Sequence, residues 1–408
     1  MAQFGWIDFS PKDRERVGTI LELMKPSGQV DELGIGTVRD ALADRLFPGI
    51  STIQTRAKYF FIVPYILQDY LRLPLIERQR KTPSKYLDDR EHEIMWDIAE
   101  YYSSIGEENT SRVIGITKKR GERIVRRPSE IYWNGLNKFK CIDSKGLSAN
   151  AFLNNANKAS IESLSHSIED ESGKDDEDAG FENYFNVKVP VNIDWKEKLD
   201  LNLSLTEATF LKDSLLDLDN TLLSFIVSSP SIFEEFMTAN AFSDFAKFAI
   251  QQAITSELKR DIILAHDFAE LMVGAHIAYN QELQIHFFQN DPFKESWESW
   301  LSTIKNKMID PEGFNPEDLF NYTNQAKAGN FIHAWWELVK SSEMDETRKS
   351  ELIKRQERIA KGSKARIANN RRTDIKEGVQ LGLGRLEYRF NNAKIIIKDI
   401  YDGLKLDQ

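Results

Sequence analysis

The chain has 408 residues, of which 41% are hydrophobic and 11% aromatic, so it has enough apolar material for a buried core and global disorder is excluded. Its single cysteine, Cys141, excludes an internal disulfide framework and a cysteine-rich zinc site, and is typical of a reducing cytosol. The formal net charge of −10 favours solubility and says little about the fold. The chain is too long for one compact core, so we predict two domains.

Neither export nor membrane insertion is predicted. Residues 1–17 become charged almost at once and lack the basic-then-apolar order of a signal peptide. The longest apolar run, YFFIVPYIL at 59–67, is far shorter than the roughly 20 residues that cross a bilayer. We therefore predict a soluble, cytoplasmic protein with no membrane contact.

Residues 1–155 are predicted to form an N-terminal helical domain. A first helix is expected to begin at Ser10, which is followed by proline, and the amphipathic stretch 31–47 predicts a second. The next helix contains Pro64, an expected kink, and a shorter one is predicted to open after Pro128.

The middle of the chain changes character. Residues 156–185 are polar and end in an acidic run, which predicts a linker or loop. Apolar residues then alternate from Val187 to Ile193, which favours a small β-hairpin or extended arm near 186–205. The rest of 186–408 has helical periodicity and is predicted to be a C-terminal helical domain. The predicted fold is mainly α, with two helical domains.

Positive charge is concentrated in two segments. Residues 354–376 hold nine Lys/Arg against two Asp/Glu, and residues 112–127 hold seven against one. On a helix ended by Gly362, Lys354, Arg358 and Lys361 would share one face, and such a row of cations can neutralise successive phosphates. We predict a nucleic-acid interface and favour DNA over RNA as its partner, although the sequence shows no feature that would discriminate between the two. Its predicted residues are Lys118, Lys119, Arg120, Arg123, Arg126, Arg127, Lys354, Arg355, Arg358, Lys361, Lys364, Arg366, Arg371 and Arg372.

Plainer interpretations stay open for both segments. The basic helix could simply be solvent-exposed and stabilised by ion pairs such as Glu357–Lys361. Alternatively, the basic segment could dock on the acidic run at 169–178 of the same chain. The segment near 112–142 is helix-turn-helix-like, with two short helices around the RRP break at 126–128. Helix pairs with a proline break are common, and Tyr132 on the second helix is of a type more often found in a core.

No complete catalytic constellation is recognisable, so no catalytic residues, cofactor or metal are predicted. His266 and Glu270 lie one turn apart and could share a metal, but a site needs a third ligand, and the flanking residues describe a core helix. On that helix, Gly274 and Ala275 are expected to let a neighbouring element approach closely. Asp194 and Lys196 in IDWKEK occur in an order that restriction-type nucleases also use. There is no phosphate-binding loop and no Gly-x-Ser-x-Gly elbow.

Five ordered blocks carry a family resemblance. They are FGWIDFS at 4–10, DELGIGTVRDALADRLFPGISTIQTRAKYF at 31–60, RRPSEIYWNGL at 126–136, AHDFAELMVGAHIAYN at 265–280 and GRLEYRFNNAKIIIKDIYDGL at 384–404. The chain resembles an uncharacterised bacterial family, a domain of unknown function that spans essentially the whole sequence. The resemblance implies an accessory protein encoded near helicases and nucleases in defence clusters, and it supplies no catalytic residues.

Three functional hypotheses follow. The first is a non-catalytic, nucleic-acid-contacting accessory subunit of a bacterial antiphage defence system, with a protein partner such as a helicase or nuclease. The second is a protein–protein adaptor without nucleic-acid binding, in which the basic helix meets an acidic partner surface. The third is a metal-dependent nuclease that uses Asp194 or the pair His266 and Glu270.

Overall fold

The structure is a computed structural model that describes residues 31–106, 110–157, 185–197, 199–323, 326–341, 343–382 and 384–405. Within those residues the only β-type pairing is an isolated antiparallel bridge between Ile142 and Val187. The mainly α prediction is therefore confirmed. The described residues near 186–205 form no β-hairpin, and residues 193–197 are turns. The helix expected at Ser10 and nearly all of the 156–185 linker lie outside the described residues.

Helices account for most of the described chain. The α-helices are α1 (Gly36–Leu46), α2 (Tyr59–Leu71), α3 (Leu75–Arg80), α4 (Pro83–Ser104), α5 (Pro128–Lys138), α6 (Leu205–Leu216), α7 (Leu222–Val227), α8 (Pro230–Thr238), α9 (Phe242–Ala249), α10 (Ser256–Phe288), α11 (Lys294–Lys307), α12 (Ala326–Lys340), α13 (Glu346–Lys361) and α14 (Phe390–Lys405). Short 3-10 helices span Pro316–Asn321 and Gly362–Lys364, and residues 149–157 are also helical.

Serine and threonine caps begin several of these helices. The Thr82 hydroxyl accepts a hydrogen bond from the Lys85 N–H at the start of α4, and Thr255 caps α10 in the same way. Ser204 and Glu207 form a reciprocal capping box at the start of α6. Each cap satisfies backbone N–H groups that lack a partner within the helix, so local sequence sets these boundaries.

The chain divides into two compact units, each built from segments distant in sequence. Unit 1 comprises the described residues up to Leu42 together with Ala246–Tyr388, and unit 2 comprises Ala43–Phe245 and the chain from Arg389 onward. The predicted domains 1–155 and 186–408 stay a prediction. In the structure, α6 and α14, which both lie within 186–408, pack together in unit 2, the unit that also contains α2, α4 and α5.

Unit 2 is built around α2, a helix that is buried on nearly all sides and packs against α4 and α5. Gly135 on α5 allows this contact, since a Cβ there would lie 2.5 Å from the Phe60 ring. An ion pair joins Arg56 to Asp399 on α14, in which the guanidinium Nε donates to both carboxylate oxygens, at 2.9 and 3.1 Å. Asp399 also accepts the Ala57 N–H at 2.8 Å, so α14 is held against the segment that precedes α2.

A buried carboxyl on α4 supports the start of α5. Glu91 is fully buried, and its two oxygens accept the Ser129 N–H at 2.5 Å and the Ser129 hydroxyl at 2.7 Å. Burial raises the pKa of Glu91 to about 7, and the Ser129 hydrogen bonds and the nearby Arg127 charge offset this only in part.

This raised pKa predicts a pH dependence of stability. Between pH 4.5 and about 7 the unfolded chain releases the Glu91 proton while the folded chain keeps it, so the free energy of unfolding should fall across this window. The contribution is on the order of 3 kcal/mol. Urea unfolding at a series of pH values should show a flatter profile for Glu91→Gln than for wild type. The exposed Glu93→Gln is the control, and equal slopes in wild type and Glu91→Gln would contradict the prediction.

Unit 1 is organised around α10, which runs for 33 residues and packs against α11 and α13. By length and composition α10 passes as a membrane-spanning candidate, but 83% of its most apolar 18-residue window is buried within the protein. It is therefore the core helix of this unit. Its buried face also carries many polar side chains, among them Asn280 and Gln284.

A tryptophan cluster packs on the middle of α10. The indole N–H of Trp300 donates to the Glu270 carbonyl at 3.1 Å, and that of Trp335 donates to the Leu271 carbonyl at 3.2 Å. A Cβ at Gly274 would lie 2.3 Å from two atoms of the Trp300 ring. The predicted close approach of a neighbouring element at Gly274 is confirmed, and the neighbour is α11, which carries Trp300.

Candidate nucleic-acid interface

Helix α13 carries the first part of the C-terminal basic segment. The Asp345 side chain caps it by accepting the Arg348 N–H at 3.0 Å, and the helix ends at Gly362, whose φ is +55°. A positive φ favours glycine, which has no Cβ to clash with the backbone. The predicted end of this helix at Gly362 is confirmed.

The predicted cationic face of α13 is partly neutralised by the protein's own carboxylates. Lys354 lies 2.9 Å from Glu282, and Lys361 lies 3.5 Å from the buried Glu32. Arg358, between them on the same face, is exposed. Two of the three side chains in this row are therefore engaged inside unit 1.

One of these carboxylates, Glu32, is deeply buried. Glu32 receives Lys361 and also Arg366, whose Nε lies 3.4 Å from Oε1. Burial raises the pKa of Glu32, and the charges of Lys361 and Arg366 offset this only in part. Lys361 and Arg366 thus fold inward. Their role here is to compensate a buried carboxylate, because a buried charge without a partner is costly.

Residues 362–382, hereafter the basic loop, follow α13 and hold five Lys/Arg against two Asp/Glu. Their first turn is anchored by Glu357, which is fully buried. Its Oε1 accepts the Arg366 N–H at 2.6 Å and the Tyr279 hydroxyl at 3.1 Å. The Ile367 N–H reaches both oxygens, at 3.2 and 3.3 Å. One carboxylate therefore fixes the backbone where the loop leaves α13.

The far half of the basic loop is anchored by two amides one turn apart on α10. Asn280 accepts the Leu381 N–H at 2.7 Å and donates to the Leu381 carbonyl at 3.0 Å. Gln284 donates to the Lys376 carbonyl at 3.0 Å and accepts the Gly378 N–H at 3.1 Å. Each amide acts as donor and acceptor at once, so the loop backbone is paired with side chains much as one strand pairs with another.

Left-handed residues turn the chain between these anchors. Asn370, Asp374 and Gly378 have φ values of 51°, 64° and 70°. Asn and Asp accept this conformation more readily than other non-glycine residues. The guanidinium of Arg371 donates back to the Ser363 carbonyl at 3.3 Å. The basic loop is thus compact and multiply hydrogen-bonded.

Three cations of the loop lie at its surface, while Lys364 is half-buried. Arg371, Arg372 and Lys376 are exposed, and the guanidinium of Arg372 lies 4.6 Å from the centre of the Phe288 ring at the end of α10. His286, in the same last turn of α10, has its Nε2 3.2 Å from the Asn370 side-chain oxygen. A polyanion approaching this surface would meet positive charge on an ordered backbone.

The second basic segment, 112–127, does not form the expected helix-turn-helix. Residues 110–127 are turns and bends, and the only helix of the predicted pair is α5. Positive φ values at Arg112, Gly115 and Gly121 interrupt helical geometry three times. The helix-turn-helix-like prediction is therefore wrong. Tyr132 on α5 is fully buried and bonds the Thr55 N–H, so it is a core residue.

Two cations of this segment are also held by carboxylates of unit 2. Arg120 reaches Glu100 at 2.8 Å and bonds Asp97, while Arg127 bonds Asp88 and lies 2.9 Å from Glu130. The remaining predicted cations of the segment differ in exposure. Lys118 is half-buried, and Lys119, Arg123 and Arg126 are exposed.

A model of a family of unknown function, DUF6361, matches residues 1–403. The chain belongs to the DUF6361 family. The resemblance to a full-length domain of unknown function is therefore confirmed. No curated protein and no solved structure gave a match.

The groups suggested for metal chemistry make other contacts. His266 Nδ1 bonds Asp267 at 2.8 Å, and Glu270 lies 2.9 Å from Arg385. Asp194 is exposed, while its neighbour Lys196 lies 2.5 Å from Asp69. Among the residues that the structure describes, no group of three or more His, Cys, Asp and Glu side chains could hold a metal ion.

Several residues of the interface were missing from the sequence-based set. Lys376 lies inside the basic segment and is exposed, yet the spacing argument did not select it. The anchors Glu357, Asn280 and Gln284 were also missed. Glu357 bonds the backbone of residues that follow the end of its own helix, and the two amides bond backbone about 100 residues further along the chain. A signal was present for the amides, since two polar residues at i and i+4 on a core helix need buried partners.

Proposed function

We propose that this protein is a non-catalytic accessory subunit that contacts nucleic acid through the basic loop of unit 1. The observation that carries the proposal is the exposure of Arg371, Arg372 and Lys376 on a backbone fixed by Glu357 and by the α10 amides. Because the loop backbone is already ordered, binding does not carry the entropic cost of ordering it. The electrostatic attraction between these cations and phosphates therefore contributes more fully to affinity.

Charge distribution supports the same proposal. The whole chain carries a formal charge of −10, so a nucleic acid is repelled by most of its surface. The exposed cations of the basic loop form a local exception. Lys119, Arg123 and Arg126 in unit 2 are a second exposed group and are proposed as auxiliary contacts.

The direct test is a salt titration of DNA binding with matched charge variants. Arg371→Gln combined with Arg372→Gln should weaken binding about tenfold or more at low salt and reduce the log–log salt slope by roughly 2. Lys259→Gln combined with Arg260→Gln removes the same charge from exposed positions near the other end of α10, roughly 40 Å away along the helix, and should change little.

The result that would overturn the proposal is equally specific. Wild-type protein that fails to bind DNA at low salt would exclude it. So would equal losses in the two double variants, because binding would then depend on total charge and not on the basic loop.

A gain of binding is also expected. Asp374 is an exposed acidic residue within the basic loop, with a φ of 64°. Asp374→Asn keeps a side chain that tolerates this conformation and removes one repulsive charge. Affinity for DNA should rise a few-fold at low salt and the difference should vanish at high salt. Fluorescence anisotropy of a labelled oligonucleotide measures both, and unchanged affinity would mean that phosphates do not approach this loop.

The adaptor hypothesis is favoured by a different feature. A cleft of about 280 Å³ lies between α12 and α13 and is lined by both apolar and polar side chains. Phe331 and Leu352 lie in its wall, Ile359 at its edge is 44% exposed, and Arg355 contributes a positive charge. A protein partner retained by wild type but lost on Ile359→Asp, without any change in DNA affinity, would support an adaptor role.

The biological setting stays a prediction from the resemblance. We propose a bacterial cytoplasmic protein that serves antiphage defence together with a helicase or nuclease partner. Phage plating on cells with and without the intact gene, repeated with the Arg371 and Arg372 double variant, is the corresponding measurement.

A further inference from the structure

The last turn of α10 places three ring side chains beside the basic loop. His286 is exposed, Phe287 and Phe288 are half-buried, and the helix ends at Gln289 with a φ of 53°. The ring centroids of His286 and Phe287 are 4.6 Å apart, and the two rings pack edge to face. Aromatic rings interleaved with surface cations are the usual composition of a surface on which bases stack.

The contact between Arg372 and Phe288 is the important one. The guanidinium lies 4.6 Å from the ring centre, which fixes a planar cation over an aromatic face. Arg372 is exposed, so solvent reaches its side chain while Phe288 lies beside its guanidinium. A planar guanidinium can stack on an aromatic ring on one side and on a nucleobase on the other.

We propose that the basic loop binds single-stranded nucleic acid, with one base stacked on Arg372 above Phe288 and the adjoining phosphates on Arg371 and Lys376. This inference rests on the proposed function and specifies its substrate. A duplex keeps its base faces covered by neighbouring pairs and can offer the loop only its phosphates. Stacking and phosphate contacts do not read the 2′ position, so single-stranded DNA and RNA should bind alike.

The test compares a labelled oligothymidylate, an oligouridylate and a DNA duplex of equal length by fluorescence anisotropy at one salt concentration. The two single strands should bind with similar affinity and about tenfold more tightly than the duplex. Arg372→Lys is the decisive variant because it keeps the positive charge but replaces the planar guanidinium with an ammonium group that cannot stack on a base. It should lose most of the preference for the single strand, so that the single strand and the duplex bind with similar affinity.

Phe288→Leu is the second variant, since it keeps an apolar side chain under Arg372 and removes the ring. It should resemble Arg372→Lys, with circular dichroism and thermal melting as checks of folding. If Phe288→Leu misfolds, the exposed Arg372→Lys still decides the question.

The outcomes separate this inference from the proposed function. Binding that is equal for single strand and duplex, or a single-strand preference that Arg372→Lys leaves intact, would overturn the stacking inference while the nucleic-acid interface stands. Absence of all binding at low salt would remove the interface itself, and the inference with it.

Discussion

Replacing Gly274 with alanine should destabilise unit 1 by about 3 kcal/mol, although helix propensity alone predicts a gain of about 1 kcal/mol. The new Cβ would lie 2.3 Å from two atoms of the Trp300 six-membered ring, a separation that requires the ring or the helix to move. The ring has little freedom, because its indole N–H is bonded to the Glu270 carbonyl. Chemical denaturation measures the loss.

Two comparisons isolate the cause of that loss. Gly384→Ala is the matched control, since a Cβ there meets nothing within 4 Å, and it should change stability by less than about 0.5 kcal/mol. Adding Trp300→Phe to Gly274→Ala removes the colliding ring atoms, so the double variant should lose less than the sum of the two single changes. A neutral Gly274→Ala would mean that α11 does not approach α10 at this residue.

Removing the Glu357 carboxylate should cost about 3–5 kcal/mol and release the basic loop. Glu357→Ala leaves the Arg366 and Ile367 N–H groups and the Tyr279 hydroxyl without their buried acceptor. Glu357→Gln retains one oxygen and should lose less. Thermal melting reports the stability change, and trypsin should cleave after Arg371 or Arg372 faster in the alanine variant than in wild type.

The same substitution connects stability to function. Glu351→Ala, at an exposed position on α13, is the control and should leave melting and cleavage unchanged. DNA affinity should fall in Glu357→Ala even though no cation has been removed, because the loop must then be ordered on binding. Unaltered trypsin cleavage in Glu357→Ala would show that this carboxylate does not anchor the loop.

Local signals in the sequence predicted the helical elements well. Asp345 and Gly362 mark the ends of α13 through capping and a left-handed backbone, both of which depend on a few adjacent residues. Gly274 predicted a close contact because a missing side chain on a core helix leaves room for a neighbour. Fold class follows from such local patterns and needs no knowledge of distant pairings.

The candidate site was less predictable because its contacts join distant parts of the chain. Lys361 and Arg366 were counted as surface cations, yet they meet Glu32, more than 300 residues away in sequence. In the other basic segment, Arg120 and Arg127 are engaged by α4 carboxylates and by Glu130. Charge runs show where cations occur, but whether each cation faces solvent depends on long-range packing.

The anchoring of the basic loop by Asn280 and Gln284 uses only main-chain atoms of the loop. The exposed side chains of Arg372 and Lys376 take no part in this anchoring, so changes at these two positions should leave the path of the chain unaltered. Single substitutions at these exposed positions could therefore change which ligand the loop prefers. A substitution of Asn280 or Gln284, in contrast, would change the backbone conformation of the loop itself.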